Sequence, residues 1–184
     1  VSTRVIAGSA RGRRLKLVPG DGTRPISDRV KENLFNILGK DVLDSSWLDL
    51  YAGTGAVGIE ALSRGAQSVW FNDLDRRAIA TIRSNLETTG YLEQARVTRR
   101  KAEDVLARAP QAGFDFIYIA PPQYKGMWLD SLRQVDSELA WLSDEAIVVA
   151  QIDPRERADE ALQHLVRFDQ RRYGNTLLNF YQVE

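Results

Sequence analysis

From Trp47 onward the chain alternates short apolar runs with helical patterns: WLDLY then AVGIEALSRG, SVWFN then DRRAIATIRSNLETTG, ARVTR then AEDVLARA, FDFIYIA then MWLDSLRQVDSELAW, and AIVVAQ then PRERADEALQ. Strands joined by helix-length crossovers pair in parallel, and a parallel sheet needs both faces covered. The pattern therefore restricts the fold to α/β with a largely parallel central sheet. The end departs from it, because HLVRFDQRRYGNTLLNFYQV carries two strand-like runs around Gly174-Asn175 with no helix between them, a hairpin signal. Five strands and this antiparallel closing pair make a seven-stranded sheet. At 184 residues, with no repeat, low-complexity tract or linker, one domain spanning 1–184 is expected.

Residues 1–26 read as a basic β-hairpin extension. RVIAG and RRLKLV each alternate as short strands around a glycine-containing turn, and the first 25 residues hold six cations against Asp21 alone. From Ser27, an N-cap, DRVKENLFNILGK places Val30, Leu34, Ile37 and Leu38 on one helical face, and Gly39 ends the helix. Lys plus Arg total 25 and Asp plus Glu total 25, so no global field draws the chain to a polyanion and any such site is local. The chain has no cysteine, which excludes disulfides, thiolate metal sites and cysteine nucleophiles together and fits a reducing compartment. No run approaches the roughly 20 apolar residues needed to cross a bilayer, and VSTRVIAGSARGRR lacks the apolar centre of a signal peptide. The expectation is a cytoplasmic monomer with no membrane role.

The stretch LDLYAGTGAVGIEAL, residues 48–62, runs from strand through glycine-rich turn to helix, with Gly53, Gly55 and Gly58 in GxGxxG spacing. Asp73 stands 20 positions after Gly53 at the end of the next strand, where a carboxylate can accept from a ribose hydroxyl pair, and Leu74 follows it in the same edge. A nucleoside-containing cofactor is implied. Dinucleotides and S-adenosylmethionine both occupy such crevices, and Asp49 favours the second: a carboxylate before the loop suits a cationic methionine end and would repel a pyrophosphate. Glu60 is read either as support for the loop and amine end or as a helix-favouring surface residue, and Asp75 as a helix cap.

The fourth apolar run ends in APPQY, residues 120–124. Two prolines stiffen Ala120 and Pro121 into extended geometry, and the absence of an N–H on Pro121 and Pro122 leaves carbonyls as unopposed acceptors. Such acceptors suit the amino group of a base, whose lone pair is delocalised into the ring and must be freed to attack a sulfonium methyl. Catalysis of that kind rests on in-line positioning and electrostatics and requires no metal. Tyr124 or Trp128 would supply a stacking plane, at about 1–3 kcal/mol per base. Trp47, Trp70 and Trp141 read as core residues, and His164 has no spacing that suggests catalysis or metal binding.

With these residues in view the chain resembles the RsmD family, bacterial 16S rRNA (guanine-N2)-methyltransferases, nearly end to end. RVIAG with GRRLKLVPGDGTRPISDRVKENLFNIL resembles the family's basic hairpin and leading helix, LDLYAGTGAVGIEALSRGA its cofactor loop, and RRYGNTLLNFY its closing hairpin. The resemblance implies a Rossmann-like class I methyltransferase that uses S-adenosylmethionine, with the hairpin and TRPISDR engaging 16S rRNA in an assembling small subunit. Asp49, Gly53 and Gly55 match the family's cofactor loop and Asp73 its ribose-binding acid. Two positions depart from the family. Ala120 stands where the family usually has Asp or Asn, with Gln123 inserted before the aromatic, and Lys101 stands where relatives often have an acid, which leaves Ala102 to contribute only its backbone N–H to the adenine.

Two accounts of the altered turn follow. In one, the carbonyls of Ala120 and Pro121 and the side chain of Gln123 accept from the base amine, with Pro122 stiffening the turn and Tyr124 stacking. In the other, the loss of the acid leaves a noncatalytic, cofactor-binding rRNA assembly factor. An N6-adenine DNA or RNA methyltransferase is a further alternative, since it would use a similar turn. Arg11, Arg13, Arg14, Lys16 and Arg24 are assigned to phosphates, with Arg29 and Lys31 extending that charge onto the helix.

Overall fold

The computed structural model describes residues 3–20 and 25–184. They gather into two compact units, Val1–Arg100 and Lys101–Glu184.

In the first unit, β1 (Thr3–Arg4) pairs antiparallel with β2 (Arg14–Leu15). The expected hairpin is present in minimal form, because Gly8 and Gly12 both take φ of 84° and the chain between the strands is consumed in turns. The extension is docked: Val5, Ala10, Leu15 and Val18 are buried. At Gly8 a Cβ would lie 1.8 Å from the Ser63 carbonyl oxygen, so only glycine permits the approach. Helix α1 (Asp28–Leu38) starts where the Ser27 hydroxyl accepts the Val30 N–H at 3.2 Å, and ends at Gly39 with φ of 58°. Val30, Leu34, Phe35 and Leu38 are buried, Ile37 only partly, and Phe35 stacks on Trp47 at 5.6 Å.

A short 3-10 turn leads into β3 (Ser46–Asp49), followed by α2 (Ala56–Ser63), β4 (Ser68–Asn72), α3 (Arg76–Thr89) and β5 (Ala95–Thr98). The three strands are parallel in the order β5-β4-β3, with Asp49 opposite Phe71 and Asn72 opposite Thr98. All three C-terminal ends therefore open on one edge, where ligands of such sheets bind. Every residue of α2 is buried, which its nearly all-apolar sequence allows. The Asp75 carboxylate caps α3 by accepting the Arg77 N–H at 2.8 Å, as its position before the helix predicts.

The second unit contains α4 (Ala102–Leu106), β6 (Phe114–Ile119), α5 (Met127–Ser137), β7 (Leu142–Ile152), β8 (Leu165–Tyr173) and β9 (Thr176–Val183). β6 and β7 are parallel, with Ile117 opposite Val148. β9 lies antiparallel to both β7 and β8, and the last pair turns through Gly174-Asn175 with Tyr173 opposite Thr176. The order in this unit is β6-β7-β9-β8, completing a mostly parallel seven-stranded sheet with an antiparallel C-terminal hairpin.

The helix expected over PRERADEALQ does not form. A 3-10 turn at Pro154–Glu156 stops when Arg157 goes extended at ψ of 135°. The segment has little apolar face to bury, and its polar groups find partners elsewhere: Arg133 takes the carbonyls of Asp159 and Glu160 at 3.2 and 3.0 Å, and the Tyr181 phenol donates to Glu160 at 2.7 Å. Among the described residues no helix is long and apolar enough to cross a membrane.

Candidate functional site

The glycine turn after β3 is held by bonds from its own unit. The Ala52 N–H donates to the Asn72 carbonyl at 2.8 Å. Gly53 takes φ of 57° and donates its N–H to Asp73 Oδ2 at 2.9 Å, while Asp73 Oδ1 accepts from the Asp75 N–H at 2.9 Å. The two residues that sequence spacing paired are thus in direct contact. A carboxylate offers about four lone-pair positions, so Asp73 keeps capacity for a hydroxyl pair. Gly55 opens α2 with φ of 81°. Gly58 serves packing, since a Cβ there would lie 2.3 Å from the Phe71 ring. Leu74 is exposed beside Asp73 and offers an apolar surface.

Asp49 ends β3 with 1% of its surface exposed, and neither carboxylate oxygen has a hydrogen-bond partner. Burial pushes its pKa up to about 7; the Gly58 N–H partly offsets this and the charge of Asp73 adds to it. The Gly58 N–H softens the penalty of burial and does not remove it. An orphan buried carboxylate is expensive unless something cationic completes it.

Glu60 is neither a surface residue nor part of this site. It is fully buried and saturated: its oxygens accept the Ile6 N–H at 2.8 Å and the Ala7 N–H at 3.1 Å, and it pairs with Lys31 at 3.4 Å and Arg64 at 2.8 Å. Lys31 is correspondingly withdrawn from the set of RNA-facing cations. Its side chain is buried, its Nζ donates to the Arg4 carbonyl at 2.6 Å, and burial lowers its pKa against the opposing pull of Glu60 and Asp28.

Two buried asparagines were not singled out from sequence. Asn72 Nδ2 donates to the carbonyls of Leu50 (3.2 Å) and Arg100 (3.0 Å), while its Oδ1 accepts from Thr98 at 2.8 Å, so one amide ties three strand ends together. Asn85 accepts the Lys16 N–H at 2.8 Å and donates to the Thr54 carbonyl at 2.9 Å, joining the basic extension to the glycine turn. Their position at strand ends and on the inner side of α3 was the available signal.

In the second unit, APPQY leaves β6 as a turn. Ala120 and Pro121 are partly buried, and Pro122, Gln123 and Tyr124 are exposed. Trp128 is buried in α5 and is a packing residue, which removes it as a stacking plane and leaves Tyr124. Trp47, Trp70 and Trp141 are buried as well, as expected. Tyr124 has φ of 64°, donates its N–H to Glu156 at 2.8 Å and its phenol to Asp153 at 2.9 Å. Ala102 is the first residue of α4, where helix geometry leaves the N–H without an intrahelical acceptor.

Of the basic residues, Arg11, Arg13, Arg14, Lys16 and Arg29 are exposed, the first four on the docked extension. Arg24 lies outside the described residues.

The chain is similar to known proteins along most of its length. YlbH of Bacillus subtilis is 40% identical over 97% of this chain and 98% of its own length. The Ribosomal RNA small subunit methyltransferase D of Haemophilus influenzae is 36% identical over 82% of this chain and 78% of its own. The solved structure of the Escherichia coli protein yhhF superposes with a TM-score of 0.87 at 30% identity, covering 100% of this chain and 99% of that one. The model of the family described as Conserved hypothetical protein 95 matches residues 3–182. The chain therefore belongs to that family, the RsmD family.

Proposed function

We propose that this chain transfers a methyl group from S-adenosylmethionine to the exocyclic N2 amine of a guanine in 16S rRNA. The observation that carries the reading is Asp49, a buried carboxylate without a donor, beside a glycine turn pinned to a second carboxylate, Asp73. That set fits a ligand with a cationic amino-acid end and a ribose. Asp49 would hold the ammonium, Gly53 and Gly55 would let the ligand approach the backbone, and Asp73 would accept from the ribose hydroxyls. Leu74 would cover the adenine and the Ala102 N–H would meet a ring nitrogen. When bound, the cofactor supplies an electrophilic methyl on a sulfonium. Membership of a family with a relative named for small-subunit rRNA methylation supports the substrate class.

The chain's own groups then have three tasks. The carbonyls of Ala120 and Pro121 accept the hydrogens of the base amine and free its lone pair, with Gln123 as a third acceptor in place of the missing acid. Tyr124 fixes the base plane, and Pro122 keeps the turn stiff. Arg11, Arg13, Arg14, Lys16, Arg24 and Arg29 neutralise phosphates, so binding weakens with salt. A monomer acting in the cytoplasm on an assembling small subunit, built as one domain with the basic extension at 1–26, completes the reading.

The test is calorimetry with S-adenosylmethionine together with labelled-methyl transfer to undermethylated small subunits and analysis of the modified nucleoside. Cofactor binding with methyl on guanine N2 is expected. Binding without transfer would convert the protein to an assembly factor, and methyl on adenine N6 would change the substrate.

A further inference from the structure

Tyr124 adopts a left-handed backbone conformation that is unfavourable for a non-glycine residue and persists only where surroundings hold it. What holds it is the turn after β7. Asp153 accepts the Arg155 N–H at 2.9 Å, and Glu156 Oε2 accepts the Asp153 N–H at 3.0 Å, forming a capping box with Pro154 at its first position. Such a box needs only one oxygen of Glu156. The other, Oε1, reaches across to the Tyr124 N–H at 2.8 Å. Asp153, with 3% of its surface exposed, accepts the Tyr124 phenol at 2.9 Å. The Arg155 guanidinium also donates to that phenol and lies 5.1 Å over the ring, yet 57% of Tyr124 remains exposed. Backbone and ring are therefore fixed at opposite ends by two carboxylates of one short turn.

We propose that Glu156 and Asp153 are positioning residues for the base-receiving turn, Glu156 holding the Tyr124 backbone and Asp153 its phenol, so that the ring is set as a stacking plane before the base arrives. This rests on the proposed function. An aromatic plane fixed in advance spares the encounter the ordering of that side chain and holds the adjacent carbonyls of Ala120 and Pro121 in one orientation.

The experiment compares wild type, Glu156→Ala and Glu156→Gln for methyl transfer to undermethylated small subunits, cofactor affinity, melting temperature and hydrogen exchange of the Tyr124 amide. Glu156→Ala is expected to lower kcat/KM for the RNA on the order of tenfold to a hundredfold with cofactor affinity unmoved, since misplacement of about 1 Å has that effect. Its Tyr124 amide exchanges faster, and Glu156→Gln, which keeps one acceptor oxygen, falls between. Transfer by Glu156→Ala within about twofold of wild type, or a Tyr124 amide whose exchange is unmoved, overturns the proposal. Wild-type protein that binds cofactor and transfers nothing sinks the proposed function instead, and the amide exchange still decides the clamp.

Discussion

Asp49 and Glu60 are both carboxylates sealed in the first unit, one ending β3 and the other within α2, with 1% and 0% of their surfaces exposed. Their surroundings are opposite. Glu60 receives two backbone N–H groups and two cations, whereas Asp49 receives no hydrogen bond. Burial alone thus says nothing of role; saturation does. Glu60 fastens the basic extension to the helix layer, and its acceptor capacity is spent on the protein. Asp49 spends none of its capacity on a hydrogen bond within the chain.

The largest expected effect comes from breaking the saturated acid. Glu60→Ala strands the buried Lys31 ammonium and two backbone N–H groups, and removing one partner of a buried pair destabilises by about 3–5 kcal/mol. Urea unfolding measures it. The double variant Lys31→Met with Glu60→Leu should recover much of the loss, because the orphan charge goes with its partner. A single-variant loss below about 1 kcal/mol would mean that water reaches Lys31 and that the two carboxylates differ less than their bonding suggests.

Next comes the orphan acid, through pH. Asp49 has its pKa raised from 3.8 to about 7 by folding. A raised folded pKa contributes stability that is full below about 4 and is lost as pH rises toward 7, since the folded state keeps a proton the unfolded chain releases. At about 1.36 kcal/mol per unit this amounts to at most about 4 kcal/mol. Ligand-free Asp49→Asn should lack that slope and be the more stable form at neutral pH, while binding S-adenosylmethionine more weakly. Parallel stability curves for the two proteins between pH 4 and 8 would show that the carboxylate is solvated after all.

The same contrast shows what the sequence can and cannot disclose. The β-α alternation, the Ser27 and Asp75 caps and the Gly174-Asn175 hairpin are legible because each rests on neighbours a few residues apart. Gly53 and Asp73 are legible at longer range because a βαβ crossover has a nearly constant length, so spacing stands in for contact. Asp49 is legible by its place before the loop. Glu60 and Lys31 are not, because their pairing depends on the segment at Ile6 and Ala7, some fifty positions from Glu60 in the chain, folding back onto α2. The helix expected over PRERADEALQ misled for the same reason: helix-favouring residues lost to distant partners in α5 and β9. The Tyr124 clamp combines APPQY, legible as a stiff turn, with a capping box at Asp153–Glu156 that the helical reading of PRERADEALQ passed over, and only the fold joins them.

The smallest effect sharpens the comparison. Arg64 is the outermost of the partners of Glu60, four residues along α2 at 2.8 Å and with 18% of its side chain exposed, and its guanidinium lies 4.9 Å over the Phe35 ring. Arg64→Met keeps the apolar stem against Phe35 and removes one cation from an acid that retains Lys31 and both N–H donors. Partly solvated ion pairs contribute about 0.2–1 kcal/mol, so the variant should unfold within about 1 kcal/mol of wild type in urea. The contrast with Glu60→Ala is the informative quantity. If losing one rim cation costs as much as losing the carboxylate, Glu60 holds no redundancy, and the bonds from Ile6 and Ala7 do not anchor the extension independently of charge. If the loss is small, the extension is held chiefly by its own backbone, and its exposed arginines stand on a base that salt does not loosen.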